Sequence, residues 1–186
     1  MRVVSGSAKG LRLKTPKGRM VRPTSDKVKS AFFNIIFDYI IEANFLDLFA
    51  GTGSMGIEAL SRGAQRCTLV DSSNYSVSLI KKNLFLANFN DRAVILRGDV
   101  FYALKILYGK RELFDIIYID PPYNFKGEDV LEILWFIFKH EMVRGGGIIG
   151  LERYSKSYLV EIEDSPFLLQ DKKIYGDTAL AIFRPR

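Results

Sequence analysis

Apolar and polar positions along this chain change period several times, and each change marks an element. Arg2–Val4 and Leu11–Lys14 flank the turn-rich Ser5-Gly6-Ser7-Ala8-Lys9-Gly10, which predicts a short hairpin. Thr15–Pro23 is a basic linker punctuated by proline and glycine. Val28, Ala31, Phe32, Ile35, Ile36, Tyr39 and Ile40 then recur at helical spacing. They form one stripe to be buried, on a helix that Thr24 or Ser25 can cap.

From Phe45 onward, β-type apolar runs alternate with helical ones. The strands are read at Phe45–Phe49, Cys67–Val70, Ala93–Leu96, Phe114–Ile119 and Ile148–Leu151. The helices between them are Ser54–Ser61, Asn74–Leu86, Val100–Leu107 and Gly127–Lys139. Nearly all-apolar strands between helices imply a parallel sheet covered on both faces. Leu168–Tyr175 and Ala179–Phe183 are separated only by Gly176-Asp177-Thr178, so they form an antiparallel hairpin at the sheet edge. The expected fold is α/β, a doubly wound, mostly parallel seven-stranded sheet with a C-terminal antiparallel hairpin and a small N-terminal β-hairpin arm.

Composition narrows the class. The hydrophobic fraction of 48% and charged fraction of 26% are those of an ordinary globular chain. With Cys67 the sole cysteine, no intrachain disulfide can form, which fits a reducing, cytoplasmic setting. The N-terminus is basic rather than apolar, unlike a secretory signal. Val130 to Phe138, the most apolar stretch, is too short to span a bilayer. Charge distribution matters more than its total. Residues 1–25 hold Arg2, Lys9, Arg12, Lys14, Lys17, Arg19 and Arg22 and no carboxylate, so the net +6 lies in this arm and the remainder sums to −1. Such a block suits a polyanion, although a merely solvated tail has the same composition. The expected organisation is a basic nucleic-acid-binding hairpin and linker over residues 1–23 and one domain over 24–186.

The first strand runs into Asp47-Leu48-Phe49-Ala50-Gly51-Thr52-Gly53-Ser54-Met55-Gly56. Its Gly51-Thr52-Gly53-Ser54-Met55-Gly56 is literally G-x-G-x-x-G, and Asp71 ends the second strand where an acid can bind ribose hydroxyls. Alone, this loop suits NAD and S-adenosyl-L-methionine equally. Asp47 tips the balance, because a carboxylate repels a pyrophosphate and attracts an ammonium or sulfonium. Asp99 adds an acceptor for an adenine amino group. Phe49, Thr52, Ser72 and Val100, beside these acids and glycines, complete the expected cofactor site.

The fourth long strand ends in Asp120-Pro121-Pro122-Tyr123. In a doubly wound sheet this strand neighbours the first, so the tetrapeptide faces the glycine loop across the switch-point crevice. An amino group on a base is a poor nucleophile, its lone pair being conjugated with the ring. The Asp120 carboxylate and the Pro121 carbonyl can accept its two hydrogens and aim that lone pair. The prolines stiffen the loop, and Tyr123 offers a face for the base to stack on.

Other residues carry less. His140, the only histidine, suits a cap at the end of its helix. Cys67 reads as core, and Trp135 with the neighbouring phenylalanines reads as a helix packing face. No metal-ligand spacing appears, so no metal is expected. Three competitors stay open: a DNA adenine methyltransferase, an NAD-dependent oxidoreductase and a non-catalytic RNA-binding domain. The first usually needs a separate recognition domain, the second leaves the arm and Asp-Pro-Pro-Tyr unexplained, and the third leaves the crevice unexplained.

Together these residues resemble the bacterial 16S rRNA guanine-N2 methyltransferase family, nearly from end to end. The likeness is carried by Arg2-Val3-Val4-Ser5-Gly6, Lys9-Gly10 and Leu13, by Asp47–Gly53 and Glu58–Ala64, by Asp120–Tyr123 and by Tyr175-Gly176-Asp177-Thr178. Its most distinctive block is Arg22-Pro23-Thr24-Ser25-Asp26-Lys27-Val28-Lys29 with Phe33-Asn34. Ser30 stands where that family usually carries Glu. The resemblance implies a class I methyltransferase fold and methyl transfer to one guanine of 16S rRNA, in a small-subunit assembly particle. It implies cofactor roles for Asp47, Gly51, Gly53, Asp71 and Asp99 and a catalytic role for Asp120 through Tyr123. The expected protein is a monomer independent of membranes.

Overall fold

The computed structural model describes residues 1–16, 26–122, 125–155 and 163–186. Its centre is a seven-stranded sheet. The strands are β1 (Asn44–Asp47), β2 (Arg66–Asp71), β3 (Ala93–Arg97), β4 (Phe114–Ile119), β5 (Val143–Tyr154), β6 (Leu168–Tyr175) and β7 (Thr178–Arg184). Their order is β3-β2-β1-β4-β5-β7-β6. β1 to β5 pair in parallel, and β7 enters antiparallel between β5 and β6. The direction of winding reverses between β1 and β4, which are neighbours as the sequence implies.

Strand residues alternate between two cores because successive side chains point to opposite faces. Phe45, Leu69, Ile116 and Tyr118 pack on one side against α1 (Asp26–Ile35), α2 (Ser54–Ser61) and α3 (Asn74–Ala87). Leu46, Val70, Ile117 and Ile119 pack on the other against α4 (Val100–Gly109) and α5 (Gly127–Lys139). Both faces are covered, so strands can be apolar throughout.

Residues 1–16 contain the expected hairpin, marked by the antiparallel bridge Arg2–Arg12 and the Val3 N–H to Leu11 carbonyl bond of 2.9 Å. It is not a solvated tail. Val3 and Leu13 are buried in the same core as α1 and α2. Gly6, at φ +82°, lies so close to α2 that a Cβ there would sit 1.8 Å from the Ser61 carbonyl oxygen. Only glycine fits that approach and that backbone angle.

Several expectations need correction. α1 ends at Ile35, and a short 3₁₀ turn over Phe37–Tyr39 breaks the helical period. Tyr39 is therefore exposed rather than buried, with the Arg184 guanidinium 4.2 Å from its ring centroid. Phe33 takes the buried place instead. Trp135 is 51% and Phe138 40% exposed, so the packing face of α5 is made by Val130, Ile133, Leu134 and Ile137. The β6–β7 turn contains two residues, because Thr178 already pairs with Tyr175. β5 is also longer than its apolar run, reaching Tyr154. Thr24 and Ser25, proposed as caps, lie outside the described residues.

Candidate active site

A cleft of about 470 Å³ opens at the C-terminal ends of β1, β2, β4 and β5, where the winding reverses. On one side it is walled by the loop between β1 and α2. Gly51 at φ +54° and Gly53 at φ +78° turn this loop sharply, a conformation glycine adopts without steric penalty. Gly56 serves packing instead: a Cβ there would meet the Cys67 sulfur at 2.4 Å. The cleft brings together Asp47, Phe49, Gly51, Thr52, Asp71, Ser72, Asp99 and Val100 with Asp120, Pro121 and Pro122. Gly53 shapes the loop but does not line the cleft. Tyr123 lies outside the described residues.

The three acids Asp47, Asp71 and Asp99, expected from the sequence to meet a cofactor, differ in environment. Asp47 is fully buried, and burial pushes its carboxyl up to about 7, with the Asp71 charge adding to the shift. Asp71 accepts from the Gly51 N–H at 2.8 Å and from the Ser73 N–H at 2.8 Å, which orients its carboxylate at the loop. Asp99 accepts from the Tyr102 N–H at 2.9 Å and so caps α4. Each carboxylate oxygen has a second lone pair for a ligand. Phe49 and Phe125 meet edge to face at 5.1 Å and give the cleft an apolar wall.

The basic hairpin sits at the rim, since Met1 lines the cleft and accepts a 3.2 Å hydrogen bond at sulfur from the Thr52 hydroxyl. Beyond its buried Val3 and Leu13, its polar attachment runs mainly through its backbone. Glu58, wholly buried on α2, accepts from the Val4 and Ser5 N–H groups at 2.8 and 2.9 Å. Lys29, wholly buried on α1, donates to the Arg2 carbonyl at 2.6 Å and stands 3.5 Å from Glu58. Burial lowers the Lys29 pKa, while Glu58 and Asp26 oppose that shift. The Asn83 amide donates to the Lys14 carbonyl at 3.0 Å and to the Thr52 carbonyl at 2.9 Å, tying hairpin and glycine loop together. Arg2, Lys9, Arg12 and Lys14 keep their side chains exposed. Lys17, Arg19 and Arg22 lie outside the described residues.

Sequence reasoning missed Lys29, Glu58, Asn83, Tyr118 and Glu152. A signal existed for two of them. Lys29 falls on the same helical stripe as Phe32, Phe33 and Ile36, and Glu58 interrupts an otherwise small or apolar helix. Charges on apolar faces are buried only when paired.

Among the described residues, no helix is long and apolar enough to cross a membrane. A family model described as "Conserved hypothetical protein 95" matches residues 1–184. The chain is 38% identical over 186 residues to "Putative rRNA methyltransferase YlbH" of Bacillus subtilis, covering 100% of both. It is 33% identical over 136 residues to the Ribosomal RNA small subunit methyltransferase D of Haemophilus influenzae, covering 72% of this chain and 70% of that protein. A solved structure from Thermus thermophilus is similar at TM-score 0.83 and 27% identity, covering 99% of each chain.

Proposed function

From the premise that the chain belongs to the Conserved hypothetical protein 95 family and has a class I methyltransferase fold, we propose that it methylates the exocyclic N2 amino group of one guanine in 16S rRNA during small-subunit assembly. Methylation of rRNA is the activity named for the relatives from B. subtilis and H. influenzae. The observation that carries the amino-group chemistry is the Asp120-Pro121-Pro122 turn, set in one cleft with the glycine loop; the guanine of 16S rRNA follows from the resemblance carried by the block of residues 22–34.

The cofactor is S-adenosylmethionine, which supplies an electrophilic methyl group on a sulfonium. The cleft's donor set fits it: buried Asp47 suits the ammonium, Asp71 the ribose hydroxyls and Asp99 the adenine amino group. Asp120 and the Pro121 carbonyl accept the two hydrogens of the base amino group and aim its lone pair at the methyl carbon. The role of stacking on the base is assigned to Tyr123 by its aromatic chemistry alone, and the domain over residues 24–186 carries this chemistry. The proton that the methylated nitrogen sheds passes to the Asp120 carboxylate, since the Pro121 carbonyl is too weak a base to hold it. Nucleoside mass spectrometry of 16S rRNA from cells lacking the protein tests the assignment, with loss of a single N2-methylguanine expected. Intact N2-methylguanine with a missing N6-methyladenine in DNA would favour the DNA enzyme instead.

Because the Asp47 carboxyl titrates at about 7, cofactor affinity depends on pH. Binding of an ammonium requires the ionised carboxylate. The folded protein holds a proton there below pH 7, and binding must expel it. Calorimetry should show affinity falling up to about tenfold per pH unit below neutrality and levelling off above it until the ligand's own ammonium begins to lose its proton, by linkage. Asp47→Asn should weaken binding and remove that slope. A flat profile in the native protein would detach Asp47 from the ammonium.

In this reading the arm of residues 1–23 grips RNA phosphates through Arg2, Lys9, Arg12 and Lys14, with Lys17, Arg19 and Arg22 extending it. Replacing one gripping residue should lower the log–log salt slope of RNA binding by about 0.7–1. Cofactor affinity should hold, since these side chains point into solvent. An unchanged slope would deny the arm this role.

A further inference from the structure

We propose that Glu152 is the guanine-specificity residue of this site, its carboxylate accepting the ring N1–H that stands beside the reacting amino group. The inference rests on the guanine reading above and adds the group that selects guanine.

Tyr118 in β4 pairs with Gly150 in β5, and Glu152 lies two residues further on, so Tyr118 and Glu152 share one face of the sheet. Both line the cleft with Asp120. Tyr118 is wholly buried and Glu152 is 8% exposed. The Tyr118 hydroxyl donates to the Glu152 carboxylate in a short hydrogen bond. Burial, reinforced by the Glu152 and Asp120 charges, raises the Tyr118 pKa well above its usual value, so the phenol keeps its proton and remains a donor. That bond fixes the plane of the Glu152 carboxylate.

A second carboxylate at the base end of the cleft has a chemical meaning. Among the bases that carry an amino group, guanine alone places a ring N–H next to it. Adenine and cytosine place a lone pair there. An anionic acceptor beside Asp120 therefore completes guanine's row of donors and faces adenine or cytosine lone pair to lone pair. Sites that reject an analogue by leaving a buried polar group unpaired discriminate strongly.

The experiment uses a small-subunit rRNA fragment containing the mapped target guanine, and the same fragment with 2,6-diaminopurine in its place. Diaminopurine keeps the 2-amino group but presents a lone pair at N1. The wild-type protein should prefer guanine by roughly 10²-fold or more in kcat/KM, as expected for a site built around a hydrogen bond. Glu152→Gln can donate to a lone pair, so it should lose activity on guanine, gain it on diaminopurine and shrink the preference at least about tenfold. Tyr118→Phe, which leaves Glu152 in place but unfixed, should shrink it less. Equal wild-type rates on the two bases, or variants that slow both alike, would overturn the inference and leave guanine methylation standing. Absence of any wild-type methylation at guanine N2 would overturn the guanine reading and the inference together.

Discussion

Replacing Asp120 by alanine is expected to slow single-turnover methyl transfer by roughly 10²–10³-fold, the usual cost of deleting one hydrogen-bond partner of a transition state. The base amino group has to pyramidalise before its lone pair can reach the methyl carbon. An acceptor on its N–H gains strength as positive charge develops on nitrogen, so its contribution falls in the rate rather than in affinity. Cofactor and RNA should bind within a few fold of normal, because the glycine loop and the hairpin are anchored elsewhere. Asp120→Asn keeps an acceptor oxygen and loses the charge. It should retain partial activity, since positioning is the larger share of the proposed effect. A near-normal single-turnover rate for Asp120→Ala would move the chemistry to another part of the cleft.

Glu58→Ala is expected to cost roughly 3–5 kcal/mol of folding stability, the range for removing one partner of a buried ion pair. Glu58 does three jobs from one buried position. It accepts from two hairpin N–H groups, receives the Arg62 guanidinium at 2.8 Å and faces the Lys29 ammonium. Without it, Lys29 keeps a charge in the core with less to offset it. In a chain of this size that corresponds to a drop in melting temperature on the order of 10 °C. Adding Lys29→Met to Glu58→Gln removes both charges and should recover part of the loss, because a buried pair is often replaceable by apolar packing. Thermal denaturation of the single and double variants decides this. A Glu58→Ala protein melting within a degree or two of the native one would show that the network adds little to stability.

The sheet was legible because period and length agreed. Ser54–Ser61, Phe114–Ile119, Gly127–Lys139 and Leu168–Tyr175 have the bounds that their patterns imply. The side of the cleft facing the glycine loop was legible too, since Asp47, Asp71, Asp99 and Asp120 each end or follow a strand near the switch point. What escaped was long-range. Nothing near Glu58 in the chain announces that its partners are Val4, Ser5 and Lys29, and Glu152 meets Tyr118 only through the β4–β5 register. Trp135 misled because an aromatic at helical spacing looks like core, whereas the stripe of Val130, Ile133, Leu134 and Ile137 already fills the available space. Tyr39 misled because the helix stops before reaching it.

The hairpin's mode of attachment decides how its role can be dissected. Scissors are the wrong instrument. Cutting away the first sixteen residues would empty the places of Val3 and Leu13. It would also strip Glu58, Lys29 and Asn83 of backbone partners they hold inside the protein. A shortened chain that failed to bind RNA would be reporting a wounded core and a displaced glycine loop as much as a missing grip. Because the hairpin is held by its main chain while its cations point outward, its charges can be exchanged one by one without disturbing how it sits.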